Sequence, residues 1–104
     1  MIPCICIDDT NKPIGVPLSE WPTKNIEYHV TWIFWDPMKG NLGVRLQEIT
    51  QTDASAPYEG FIITRFLFNV KYIKQIVELF NNCNEAADLN IEELLKEKQL
   101  IEAD

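Results

Sequence analysis

Glu27-Tyr28-His29-Val30-Thr31-Trp32-Ile33-Phe34-Trp35, then Asp36-Pro37-Met38-Lys39-Gly40-Asn41, then Leu42-Gly43-Val44-Arg45-Leu46-Gln47-Glu48-Ile49 is the stretch that decides the fold. Tyr28, Val30, Trp32 and Phe34 recur at every second position, so in an extended chain all four side chains leave from one face. Leu42, Val44 and Leu46 do the same on the way back, with Arg45 and Gln47 opposite. The two arms predict a β-hairpin that sets Leu42, Val44 and Leu46 beside Trp32, Val30 and Tyr28, each pair adding about 0.2–1 kcal/mol beyond burial. The other face of the first arm, His29, Thr31, Ile33 and Trp35, turns apolar towards the far end, so both sides are expected to be covered there. Pro37 after Asp36 and Gly40 before Asn41 suit a type I turn followed by a residue of positive φ. Gly43 marks either a bulge or a place where a ring lies over the backbone.

Working outward, Ile2 to Ile7 predicts a strand with apolar residues on both faces, hence central or well covered, and with Pro3 at its start, where a missing donor is tolerated. Asp8 to Pro13 supplies turn formers. Gly15, Pro17 and Pro22 make Ile14 to Asn25 a structured loop, with one 3₁₀ turn at Leu18 to Trp21 and Trp21 as its anchor to the core. After the hairpin, Thr50 to Pro57 is a polar loop, expected to vary in conformation more than its flanks. Tyr58 to Phe68 predicts either one closing strand or a short strand with a tight turn at Ile63 to Arg65. Phe61 and Phe66 are core residues on both alternatives.

At Asn69 the period changes from 2 to 3.6. Val70, Ile73, Val77 and Phe80, widened by Ile76, form one helical stripe, with Asn69 as N-cap, Phe68 and Ile73 as a hydrophobic staple, and Asn81 to Asn84 as the stop. Asn90 and Glu93 have capping-box spacing ahead of a second helix with the stripe Ile91, Leu94 and Leu95, and Leu89 can staple to Leu94. Glu92 precedes Lys96 by four residues in the favourable order. Leu100 and Ile101 lack periodic partners, so fraying is expected there.

The chain of 104 residues, 46% hydrophobic and 11% aromatic, suits one domain with a single core. The division expected is residues 1–80, sheet plus first helix, and residues 81–104, an acidic helical extension that either joins the same domain or is an appendage. Residues 1–77 hold seven Lys/Arg and eight Asp/Glu, and residues 78–104 hold two Lys and eight Asp/Glu, so nearly all of the net charge of −7 sits at the C-terminal end. Such acidity disfavours contact with phosphate backbones, and direct nucleic-acid binding is not expected. No apolar run approaches the ~20 residues of a membrane span. The N-terminal residues lack a basic region and reach Asp8 and Asp9 early, unlike a secretory signal. Three cysteines, Cys4, Cys6 and Cys83, do not make a disulfide framework, and reduced thiols in the cytoplasm are the expectation.

Residues 2–68 resemble the small SH3-like β-barrel proteins, mostly without assigned function, of phage and bacterial genomes. Cys6-Ile7-Asp8-Asp9 and Trp21 carry the resemblance, with Tyr28-His29-Val30, Leu42-Gly43-Val44-Arg45-Leu46, Tyr58-Glu59-Gly60-Phe61 and Arg65-Phe66. It implies a small, strongly bent barrel of about five strands in an intracellular setting, with no catalytic residue carried over; joined to the two α-helices read from the periodicity after Asn69, which lie outside the resemblance, it makes the expected fold mainly β with C-terminal helices, an α+β fold. Whether the helical tail covers the barrel surface stays open.

Catalytic and metal sites find little footing. Cys4, Cys6, His29 and Cys83 lack the paired spacings of structural zinc sites, and buried thiols packing as small hydrophobes account for them. A Cys6 or Cys83 nucleophile would have His29 as its sole imidazole base. Asp8-Asp9 and Glu92-Glu93 are adjacent, so their side chains splay, and a turn and a helix start explain them. No cofactor, metal or enzymatic activity is expected. The aromatic surplus is more informative, because Trp21, Trp32, Trp35, Tyr28 and Tyr58 exceed what a core of this size hides and can grip a peptide, a polyproline II segment included, with Trp21, Trp35, Met38 and Tyr58 as the binding candidates, although rings that merely fill the barrel are the competing account. The leading expectation is therefore a non-enzymatic module that binds a protein partner or itself through these residues and the C-terminal helix. The alternative is a phage-type inhibitor whose acidic helix, with Glu92, Glu93, Glu97, Glu102 and Asp104, mimics nucleic acid; plain solvation of a surface helix is the simpler account of those carboxylates.

Overall fold

Thr31 settles which face of the long strand is buried. The computed structural model describes residues 1–37, 39–83, 90–96 and 99–101. In it β2 (Glu27–Asp36) pairs antiparallel with β3 (Asn41–Leu46), matching Val30 with Leu46, Trp32 with Arg45 and Ile33 with Val44. Two steps therefore separate Val30 from Trp32 on β2 while one step separates their partners on β3, so Thr31 is the extra residue of a β-bulge. Its hydroxyl donates to the Arg45 carbonyl at 3.4 Å.

The bulge overturns the simple alternation. Tyr28 and Val30 are buried as expected, but beyond Thr31 the inward positions move by one: Ile33 is fully buried and Trp32 is 44% exposed. Leu46 lies opposite Val30, Val44 opposite Ile33, and Leu42 opposite Trp35. Phe34 leaves the core face and lays its ring over Gly43 and Gly60, where a Cβ on Gly60 would meet Phe34 Cε1 at 2.8 Å and the Val44 carbonyl at 2.7 Å. Of the two accounts of Gly43, the ring over the backbone holds, and the bulge lies in the facing strand. At the hairpin end Gly40 takes φ +66° and its N–H donates to the Asp36 carbonyl at 2.8 Å, as the Gly-Asn turn predicts.

β1 (Ile2–Cys6) is central, flanked by β2 and β5 (Phe66–Asn69), and turns Ile2, Cys4 and Cys6 inward while Ile5 stays partly exposed. β4 (Phe61–Ile62) joins β5 through a 3₁₀ turn at Ile63–Arg65, which selects the short strand with a tight turn. The last strand, β6 (Leu100–Ile101), runs parallel to β5. The sheet order is β4-β3-β2-β1-β5-β6. Among the described residues β4 pairs with β3 and β6 with β5 and with nothing further, so the closed five-stranded barrel is corrected to an open six-stranded sheet. A two-residue β4 offers too short an edge for a closing ladder, and the outer edge of β5 is taken by β6.

Two helices complete the α+β fold. Asn69 caps as predicted, its side chain accepting from the Lys71 N–H at 3.0 Å, but the first turn, Val70–Tyr72, is 3₁₀ and leads into α1 (Ile73–Cys83). α1 packs on β2 with Ile76 and Phe80 fully buried; Val70, expected in the stripe, is exposed because it precedes the α-helical register. α2 (Ile91–Lys96) begins at Asn90, whose side chain accepts from the Glu93 N–H at 3.2 Å. Ile91 and Leu95 join the same core as the sheet, whereas Leu94 is exposed. Leu100 and Ile101 do not fray, because the Phe68 N–H donates to the Gln99 carbonyl at 2.7 Å and brings the chain alongside β5. α1 crosses the expected division at residue 80, and residues 91–96 share the core of residues 2–80. The Asn84 stop and the Leu89 staple lie outside the described residues.

Candidate binding groove

Polar contacts tie the loops on one side of the sheet to one another and to β3, and a groove lies beside them. In the loop between β1 and β2, Trp21 donates its indole N–H to the Asp9 carbonyl at 2.8 Å and meets Phe61 edge to face at 5.7 Å. Arg65 lies over the Trp21 ring at 4.8 Å and donates to the Asp8 and Thr10 carbonyls at 3.2 and 2.7 Å, with the Asp8 carboxylate 3.4 Å away. Trp21 is thus the loop anchor the sequence predicts. Hydrogen bonds from the Thr10 hydroxyl and N–H hold the Asp8 carboxyl below its ordinary range, with Arg65 adding to the effect.

The same loop is fastened a second time by Glu20. This carboxylate, on the 3₁₀ turn Leu18–Glu20, accepts from the Thr52 N–H, the Thr52 hydroxyl and the Ser55 hydroxyl, each at 2.7 Å. Those bonds, the Thr52 pair foremost, hold the Glu20 carboxyl below its ordinary value. The loop from Thr50 to Pro57, expected to vary, is fixed by this acceptor and by its own 3₁₀ turn Asp53–Ser55. Beyond it, Arg45 Nε donates to the Glu59 carbonyl at 2.9 Å and holds the segment that bears Tyr58 against β3.

Between these parts runs a groove of about 430 Å³, lined by Phe34, Trp35 and Asp36 from β2 and by Tyr58, Glu59 and Gly60 opposite. A recess of about 210 Å³ adjoins it, lined by Trp21, Pro13, Val16 and Arg65. Lys39, Asn41, Tyr58 and Phe61 border both. The Lys39 ammonium stands over the Tyr58 ring, 4.9 Å from its centroid. The walls are therefore mainly rings with a few charges at the margin, which suits a segment with both apolar and polar groups.

Three of the predicted binding residues, Trp21, Trp35 and Tyr58, come together along this groove although 37 positions separate the first from the last in the sequence. Met38 and Glu97 lie outside the described residues. Glu92 and Glu93 do not border the groove; they stand on α2, 3.7 and 3.0 Å from the Lys96 ammonium. Sequence reasoning missed Phe34, Asp36, Lys39, Glu59 and Arg65. Gly43 and Gly60 were the available signal for Phe34, since two glycines facing one ring make room for it.

The other chemistry-bearing residues are dispersed. Pro3 pairs with His29 and Cys4 with Tyr28 across β1 and β2, so the His29 ring and the Cys4 thiol leave from opposite faces. Burial, with Glu48 nearby, pushes the Cys4 thiol up to about 12, and burial also raises Cys6, whose thiol donates to the Asp8 carbonyl. Among the described residues no cluster of His, Cys, Asp and Glu is arranged to hold a metal ion. His29 instead pairs its Nδ1 with Glu48 at 2.6 Å while its backbone N–H donates to the same carboxylate at 2.8 Å. Desolvation alone would raise the Glu48 carboxyl, but these His29 contacts outweigh it and hold it below its ordinary value. No described helix is long and apolar enough to cross a membrane.

Comparison with protein-family models, with curated proteins and with solved structures finds no match to this chain.

Proposed function

We propose that this protein is a non-enzymatic interaction module that holds a protein segment in the groove between Trp35 and Tyr58, with Trp21 at its adjoining end. The observation that carries the proposal is the convergence of three distant aromatic residues on one groove and the recess that adjoins it, two of them, Trp21 and Tyr58, on loops tied down by Arg65, Glu20 and Arg45. A rigid aromatic wall loses little conformational entropy on binding, which is why Trp and Tyr dominate the energetics of protein contacts. The strands β1 to β4 form a meander and β5 crosses over to pair with β1, the pairing a bent SH3-like sheet needs, and on this ground we extend the proposal to an SH3-like origin in an opened form. Two buried, unpaired thiols, Cys4 and Cys6, support a reducing compartment, the cytoplasm. The acidic-helix alternative draws less support, because Glu92 and Glu93 already pair with Lys96 within one turn.

Selection of binders from a random peptide library tests the proposal. Selected peptides should lose about tenfold or more in affinity for Tyr58→Ala and Trp35→Ala. They should be unaffected by Trp32→Ala, which alters an exposed ring outside the groove. Binders indifferent to both groove substitutions would overturn it.

A further inference from the structure

A groove walled by rings and flanked by carboxylates has an electrostatic preference. Ring faces carry negative partial charge and attract cations, and the attraction grows where water is partly excluded. Asp36 and Glu59 line the same space as Trp35 and Tyr58 and add formal negative charge. The protein supplies its own demonstration of the preference, since the Lys39 ammonium lies over the Tyr58 face at 4.9 Å. At the adjoining end the Trp21 face holds the Arg65 guanidinium at 4.8 Å. These two cations differ in how firmly they are held. Arg65 is committed to the Asp8 carboxylate and to two loop carbonyls, whereas Lys39 is an exposed side chain on a turn.

We propose that the groove receives an arginine side chain of a basic partner segment against the Tyr58 ring, and that Lys39 is a built-in occupant which the arriving guanidinium displaces. This rests on the groove being the binding site. A planar guanidinium stacks on a ring and can reach a carboxylate at the same time, so Tyr58 with Glu59 matches it better than an ammonium would. The groove's own charged lining, Asp36 and Glu59 against Lys39, is left net negative once Lys39 swings away, which favours a cation in its place. An acidic segment would meet Asp36 and Glu59 in the groove, while Arg65 at the adjoining end is already paired with Asp8.

The test uses the full chain labelled with ¹⁵N and two pentapeptides, acetyl-Gly-Gly-Arg-Gly-Gly-amide and its citrulline counterpart, which keeps the shape and removes the charge. The arginine peptide should shift the indole N–H of Trp35 and bind about two- to fivefold more tightly than the citrulline peptide, the range an exposed cation–ring contact supplies. Lys39→Gln should tighten arginine binding by a similar factor, Tyr58→Phe should retain it, and Tyr58→Leu and Glu59→Gln should weaken it. Equal binding of the two peptides at the groove would overturn the inference and leave the binding module standing. Lack of any shift at the groove with either peptide would also overturn it, with the library selection deciding separately whether the groove binds at all. Weaker arginine binding to Lys39→Gln would remove the displacement step.

Discussion

Ser55 donates its hydroxyl to the buried carboxylate of Glu20 at 2.7 Å, joining two loops that lie 35 residues apart in sequence. With Thr52 contributing two further bonds, this one carboxylate joins the chain before Trp21 to the chain before Tyr58. A charged acceptor of this kind ties stability to pH.

The sign follows from the direction of the shift. The Glu20 carboxyl titrates lower in the folded protein than in the unfolded chain, so its contribution is complete above the unfolded value and is lost as pH falls through the folded one. Asp8 and Glu48 are lowered as well and act in the same direction. Urea midpoints of the wild-type chain should hold near neutrality and fall from about pH 5 downward. Glu20→Gln should be less stable than wild type at pH 7, and the gap should close in acid, because the wild-type carboxyl is then neutral too. A gap that stays constant down to pH 3 would remove Glu20 from the pH response.

The bulge at Thr31 makes a prediction of opposite character for two neighbours. Ile33→Ala removes a fully buried side chain and should cost about 2–5 kcal/mol. Trp32→Ala trims a ring that is 44% exposed and should cost about 1 kcal/mol or less, despite the larger volume removed. Chemical denaturation of the two variants separates the bulged register from a regular one, in which the order of the two effects would reverse.

These residues also show how far the sequence could be read. The hairpin, the Gly40 turn, the caps at Asn69 and Asn90, the anchor Trp21 and the core rings Phe61 and Phe66 all follow from local chemistry that the structure retains. The bulge does not, because the segment Trp32 to Trp35 is apolar on both faces and a period of two cannot choose between Trp32 with Phe34 and Ile33 with Trp35. The strand β6 was equally invisible: Leu100 and Ile101 are too few to show a period, and they are ordered by a partner more than thirty residues away. In the groove, Trp21, Trp35 and Tyr58 stood out as surplus rings. Lys39, Glu59 and Arg65 did not, since a charged side chain in a loop looks like solvation until a ring is found beneath or beside it.

The contact of Phe34 with Gly43 and Gly60 yields the third prediction. A Cβ on Gly43 would overlap the far edge of the Phe34 ring, and the ring cannot retreat inward because Val44 and Phe61 are buried on the other side of the same strands. Gly43→Ala should therefore destabilise by about 1–3 kcal/mol, as insertion of a methyl group into a packed site does. The cost belongs to the pair, so it should shrink sharply in the Phe34→Leu background, where the shorter side chain leaves room for the methyl group; a double-mutant cycle in urea measures the difference. Full additivity of the two substitutions would show that Gly43 is required by the strand for some reason other than the ring. Because Phe34 also lines the groove, the same Gly43→Ala protein should bind library-selected peptides more weakly at a temperature where it is still fully folded.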